Sequence, residues 1–262
     1  VDLNRLEQQG LGLLQEAAQL AQFEQIPLAL ARVRLATQMA PKSAEAWAVL
    51  GSLYLHPATN QPAAAIPALK RAQALDPRNA AINFALGSAY FQQQQYTDSV
   101  SAIKAGLKIK PNTPGALFDL GNAYMMLKRP KDAVDNYQRA IAQDKTFWPA
   151  INNIGLVRYE TGDVDEALKL WRQALSLSPK AAEPQLAIAV ALYTKGDREQ
   201  GLALGEVALK IDAQYGEVKF LKENLWGDKL LADTQKFLSV PRIQAALIEA
   251  QAERATRPQQ NQ

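Results

Sequence analysis

Few residues in this chain are of types that do chemistry, and none is spaced to do it with another. His56 is the sole histidine, set beside a proline-rich turn where a solvated loop side chain is the expected reading. Without a second histidine or any cysteine, a His/Cys metal site has no ligand set. Asp163, Asp165 and Glu166 are densely acidic, but they fall in a turn and the first coil of a helix. Negative charge there suits the positive end of the helix dipole, and this reading is preferred to cation binding. Gly10-Leu11-Gly12 lacks the preceding strand and the later glycine of a dinucleotide site. No nucleophile has a base near it in any helical register, so the chain reads as a non-enzyme with no cofactor. The amides are more telling. Asn122, Asn152 and Asn153 lie among apolar residues at helical spacing, and a buried amide needs partners.

The elements that position these amides are best seen in residues 114–147, PGALFDLGNAYMMLKRPKDAVDNYQRAIAQDKTF. Leu117, Leu120, Gly121 and Tyr124 recur at i, i+3, i+4, i+7, and Ala133, Tyr137 and Ala140 at i, i+4, i+7. This is helix periodicity, which predicts two amphipathic helices joined at Lys128-Arg129-Pro130. Small residues at 121, 133 and 140 lower the ridges so that the two helices can approach closely. One such hairpin cannot bury its own apolar face and needs neighbours.

The chain repeats the hairpin. Gly87, Gly121 and Gly155 are evenly spaced, Ala189 follows at the same interval, and Gly51 precedes them. An apolar residue stands before each: Leu50, Leu86, Leu120, Ile154, Ile188. Tyr54, Tyr90 and Tyr124 follow three residues later, and Pro77, Pro111 and Pro179 close three of the units. The interval and the pattern W-x2-L-G-x2-Y…A-x3-F…P resemble the tetratricopeptide repeat family, and residues 47–54, WAVLGSLY, match the first half of that pattern without a substitution. The expected organisation is a polar lead-in over 1–9, then repeats over 10–43, 44–79, 80–113, 114–147, 148–181 and 182–215. The second carries two extra residues in its turn. Ser43, Asn79 and Thr113 are read as N-caps, with Pro114 at a first helical position. Gly162 and Gly196 fall in turns that favour positive φ. Residues 216–253 read as three C-terminal capping helices, with Asp228 capping the second, and 254–262 as a disordered tail.

Charge narrows the partners. Lys and Arg total 29 and Asp and Glu 26, a net +3 spread along the chain with no basic stripe of the kind a phosphate backbone requires. This argues against nucleic acid despite a pI near 9.0. No apolar run approaches membrane-spanning length. The chain opens at Val1-Asp2 with no initiator Met and no charged-then-apolar leader, and is read as mature or trimmed.

The resemblance implies an all-α solenoid: six helix-turn-helix repeats in a right-handed superhelix, with the first helix of each pair lining a concave groove. Carried over by repeat position, the groove holds Phe84, Ser88 and Phe91; Phe118, Asp119, Asn122, Met125 and Met126; and Asn152, Asn153, Leu156 and Tyr159, of which Phe84, Phe118, Asn122, Asn152, Asn153 and Tyr159 are expected at least partly exposed, while Phe91, Met125 and Met126 also suit ordinary core. Amides there suit a peptide backbone, and phenylalanine and methionine suit its side chains. Chaperone-binding members clamp a C-terminal carboxylate with two asparagines and three basic residues. Asn122 and Asn153 match the amides, but the basic positions hold Phe118, Glu183 and Ala187, and a carboxylate facing Glu183 is repelled. The clamp is therefore not expected. The Gln- and Ala-rich surface and the WGDKLLADTQKFL segment resemble cyanobacterial or plastid repeat proteins, some of which assemble photosystems. Two functions stay open: a scaffold that grips a peptide or helical segment of a partner, as an assembly factor would, or a structural subunit embedded in a larger complex. The three C-terminal helices carry too much apolar surface to stand in solvent. The first is expected to cap the array, and the others to pack on the last repeats, in the groove, or on a partner.

Overall fold

The computed structural model describes residues 2–256. Among the described residues the protein is all-α, with fifteen α-helices, one 3-10 turn and no strand. The chain divides into two compact units, Val1–Leu127 and Lys128–Gln262. The first holds α1 (Leu3–Gln22), α2 (Ile26–Met39), α3 (Ala44–Leu55), α4 (Pro62–Leu75), α5 (Ala80–Gln92), α6 (Tyr96–Ile109) and α7 (Pro114–Met126). The second holds α8 (Pro130–Gln143), α9 (Trp148–Glu160), α10 (Val164–Leu177), α11 (Ala182–Lys195) and α12 (Arg198–Ile211). The 3-10 turn Ala213–Gly216 follows, then α13 (Val218–Glu223), α14 (Asp228–Leu238) and α15 (Pro241–Thr256).

Within the first unit α1/α2, α3/α4 and α5/α6 are hairpins, each packed on the next through α2/α3, α4/α5 and α6/α7. In the second, α9/α10 and α11/α12 do the same. The repeated glycines explain the closeness. Atoms of Leu69 lie where a Cβ on Gly51 would stand, those of Ile103 do so for Gly87, and the Trp171 indole for Gly155. Three hairpins, α3/α4, α5/α6 and α9/α10, are thus keyed by one bulky side chain of the second helix entering the hollow over one glycine of the first.

The hairpin turns share a backbone device. Glu24, Asn60, Gln94, Lys128, Gly162 and Gly196 occupy the same place in successive repeats, and all have positive φ. Only two are glycine, so the left-handed turn recurs even where a side chain opposes it.

Several local expectations are corrected. The polar lead-in is helical, because α1 starts at Leu3, capped by the Asp2 carboxylate on Asn4 N and Arg5 N. Ser43 and Asn79 cap as expected, accepting from Ala46 N and Ala81 N. Thr113 stands at an N-cap but its hydroxyl donates back to Lys110 O instead. Residues 254–256 of the expected tail continue α15, and 257–262 lie outside the described residues. The helix laid along α12 is α15, not α13. Its Ile243 is fully buried, and Arg242 donates to both Glu206 oxygens at 2.7 and 2.9 Å and to Glu199 at 3.0 Å.

Candidate functional site

In the first unit α5 and α7 present four of their sequence-predicted residues to one cleft. Ser88 and Phe91 come from α5, Asp119 and Asn122 from α7, and they enclose about 200 Å³ together with Gly87, Gln92, Ser99 and Ile103. Helix spacing alone brings Ser88 and Phe91, and Asp119 and Asn122, onto common stripes. The walls are fixed by hydrogen bonds: Ser99 Oγ donates to Gly87 O at 2.8 Å, and Ser88 Oγ to Phe84 O at 3.3 Å. Phe91 is held edge-on by Tyr96 at 5.3 Å between ring centroids. Asp119 is half-buried, and loss of solvent pushes its carboxyl up to about 6. Among the described residues no cationic side chain forms an ion pair with it.

The other predicted residues of this unit lie apart from the cleft. Phe84 leans into the space over Gly106 and borders a second hollow with Arg78, Lys110 and Thr113. Phe118 and Met125 are half-buried, and Met126 is exposed.

In the second unit the expected accessibility fails. Asn152, Asn153, Leu156 and Tyr159 are all buried: α14 packs on α9 and α11 and reaches Tyr159 through Asp233, while Asn153 is engaged by Tyr137 of α8. Trp226 Nε1 donates to Glu183 Oε1 at 2.9 Å. Tyr159 donates its hydroxyl to Asp233 Oδ2 at 2.8 Å, and burial with that carboxylate pushes its pKa up. Lys229 Nζ stands 5.0 Å above the Tyr159 ring centroid and 3.4 Å from the Tyr159 carbonyl. Glu160 receives Lys229 N at 3.1 Å and Leu230 N at 2.9 Å, so it, and not Asp228, caps α14. A Cβ on Gly227 would press on the Glu160 side chain, which would have to shift from its place over α14. Leu230, Leu231, Thr234 and Phe237 are buried beneath.

The buried asparagines are structural here. Asn152 Nδ2 donates to Asn153 Oδ1 at 3.1 Å, and Asn153 Nδ2 to the Tyr137 hydroxyl at 3.4 Å. Asn152 Oδ1 has no hydrogen-bond partner among the described residues. Glu183, which accepts from Trp226, is pushed up to about 7 by burial, only partly offset by the Trp226 and Asn152 side chains. Gln92, Ser99, Glu160, Trp226, Lys229 and Asp233 were not among the expected site residues. The signal for the last three was the apolar excess after the sixth repeat, which marks a buried segment without saying where it docks.

His56 Nδ1 accepts from Ala58 N in its own loop. Asp163 caps α10, Asp165 pairs with Lys195, and Glu166 pairs with Lys169 at 3.2 Å. Gly10 and Gly12 lie inside α1. Among the described residues no three His, Asp or Glu side chains are grouped to hold a metal, and no helix is long and apolar enough to cross a membrane.

Sequence models described as tetratricopeptide repeat match residues 58–114 and 114–147, and one described as TPR repeat matches 155–196. The chain belongs to the tetratricopeptide repeat family. The family is typically non-catalytic and generally mediates protein–protein interaction. No curated protein matches the chain. Among solved structures it is similar to the MamA protein, at 24% identity over 66% of this chain and 94% of that one, TM-score 0.58. It is also similar to Pseudomonas aeruginosa PilF, at 16% identity over 85% and 98%, TM-score 0.67. A third is YrrB, titled a TPR protein with an unusual peptide-binding site, at 20% identity over 73% and 97%, TM-score 0.53. At these identities the likeness is one of fold. None of these matches supports the likeness to cyanobacterial or plastid assembly proteins.

Proposed function

We propose that this protein is a non-catalytic scaffold that binds a peptide or helical segment of a partner on the first-helix face of its first unit, as an assembly factor for a multiprotein complex. The observation that carries this reading is the cleft between α5 and α7, where Phe91 offers apolar contact while Ser88, Gln92, Asp119 and Asn122 offer polar groups. Concave sites that mix an apolar wall with a few convergent polar groups are what a peptide side chain needs. Phe84, Phe118, Met125 and Met126 extend the surface. YrrB's peptide-binding site is that protein's own, but its similar fold is in keeping with such a use here. A carboxylate clamp does not fit. Asn153 is buried, Glu183 is engaged by Trp226, and neither Phe118 nor Ala187 can hold an anion.

Phage-displayed peptides selected on the full chain test the reading. The double variant Phe91→Ala, Asn122→Ala is expected to weaken their binding at least tenfold, about 1.4 kcal/mol, with helicity unchanged. Selected peptides that bind both proteins equally would place recognition elsewhere.

A further inference from the structure

The face that α14 covers on α9 and α11 recurs two repeats earlier, on α5 and α7. Phe91 stands where Tyr159 stands, Gln92 where Glu160 does, Ser88 where Leu156 does, and Asp119 where Ala187 does. In the second unit the occupant is therefore on view. It is an amphipathic helix that buries leucine and phenylalanine, places its first amides on Glu160, and sets Lys229 of its first turn over the Tyr159 ring. The corresponding place in the first unit keeps the aromatic ring, as Phe91, and the polar acceptor, as Gln92. It carries a carboxylate where the second unit has Ala187, and among the described residues no cation forms an ion pair with Asp119.

We propose that the cleft between α5 and α7 takes an amphipathic helix of a partner protein carrying a lysine or arginine in its first turn, the cation lodging between the Phe91 ring and the Asp119 carboxylate. This rests on the scaffold reading above and names the chemistry of its ligand. A cation on a ring face with a carboxylate beside it gains from both, and more so out of bulk water. The cleft of about 200 Å³ has room for the end of one long side chain. The Gln92 carbonyl is placed to accept from the ligand's first amides, as Glu160 accepts from α14. The raised carboxyl of Asp119 is that of an acid with no counter-charge, and a docked cation would lower it.

The test uses the full chain and a fluorescently labelled, end-blocked peptide of residues 226–238, alongside the same peptide with Lys229→Gln. Anisotropy at low ionic strength is expected to show binding that weakens roughly tenfold in the Asp119→Asn protein, and roughly tenfold in the neutral peptide. Because the two changes remove one interaction, combining them is expected to add little. Circular dichroism confirms that Asp119→Asn remains folded. Binding lost in Phe91→Ala but indifferent to Asp119→Asn would overturn the cation site and leave the scaffold reading standing. Binding sensitive to Tyr159→Leu and indifferent to both Phe91 and Asp119 would mean mere exchange with α14, and would overturn the proposal. Absence of binding would overturn it too, while phage-selected peptides that need Phe91 and Asn122 would still sustain the scaffold.

Discussion

Glu183 sits in the second unit with Trp226 Nε1 as its close donor and little water around it. Burial raises its carboxyl from the ordinary 4.5 to about 7. The sign follows from proton linkage: between those values the folded chain holds a proton that the unfolded chain has released. Stability therefore falls as pH rises from 4.5 to 7 and is flat in this respect above it. Glu183→Gln keeps an acceptor for the indole and removes the titration. It is expected to flatten that part of the pH dependence and to be the more stable form at pH 8, by up to about 3 kcal/mol. Urea unfolding of both proteins at pH 5 and pH 8 checks this, and parallel curves would show that the carboxyl is not held neutral.

Among the elements, three hairpins are keyed by glycine, and the keys are not interchangeable with helical glycines elsewhere. In Gly155→Ala the new Cβ would stand 2.5 Å from Trp171 Nε1, and the indole cannot retreat, being fully buried and bonded to Asn152 O at 3.2 Å. The expected cost is about 1–3 kcal/mol. Gly12→Ala, with nothing within 4 Å, is expected to be neutral or to gain up to about 1 kcal/mol of helix propensity. Thermal melts that moved alike for both would refute the keying. This much was legible in the sequence, because glycine spacing and 3.6-residue periodicity are local signals. The fate of the fifth repeat was not. Asn152, Asn153, Leu156 and Tyr159 occupy the same repeat positions as open residues of the third and fourth repeats. What covers Tyr159 lies some seventy residues later, as its bond to Asp233 shows, while Asn152 and Asn153 meet Trp171 and Tyr137 of the neighbouring second helices. An amphipathic stripe states that a helix will be covered and is silent on its partner. Lys128, Gln94 and Glu24 were likewise unreadable as left-handed turn residues, since glycine and, less strongly, asparagine are what announce that conformation in a sequence.

For the molecule as a whole, the same first-helix face serves as core in the second unit and stands open as a cleft in the first. Deleting residues 228–262 is expected to uncover Leu156, Leu186 and Val190, now buried, and to lower the melting temperature by at least ~5 °C. Phage-selected peptides should bind the first unit's cleft as before. A truncated protein with unchanged melting would show that α14 and α15 contribute no stability. The segment also sets the length of the array. A hairpin added after Ile211 would have to stack where α15 lies on α12. Removing the fifth hairpin would take away Glu160 and Tyr159, on which α14 begins, and removing the sixth would take away Glu183, which receives Trp226. Growth or loss of repeats, the ordinary route by which solenoids change, is thus closed at the carboxyl end and left to the hairpins of the first unit.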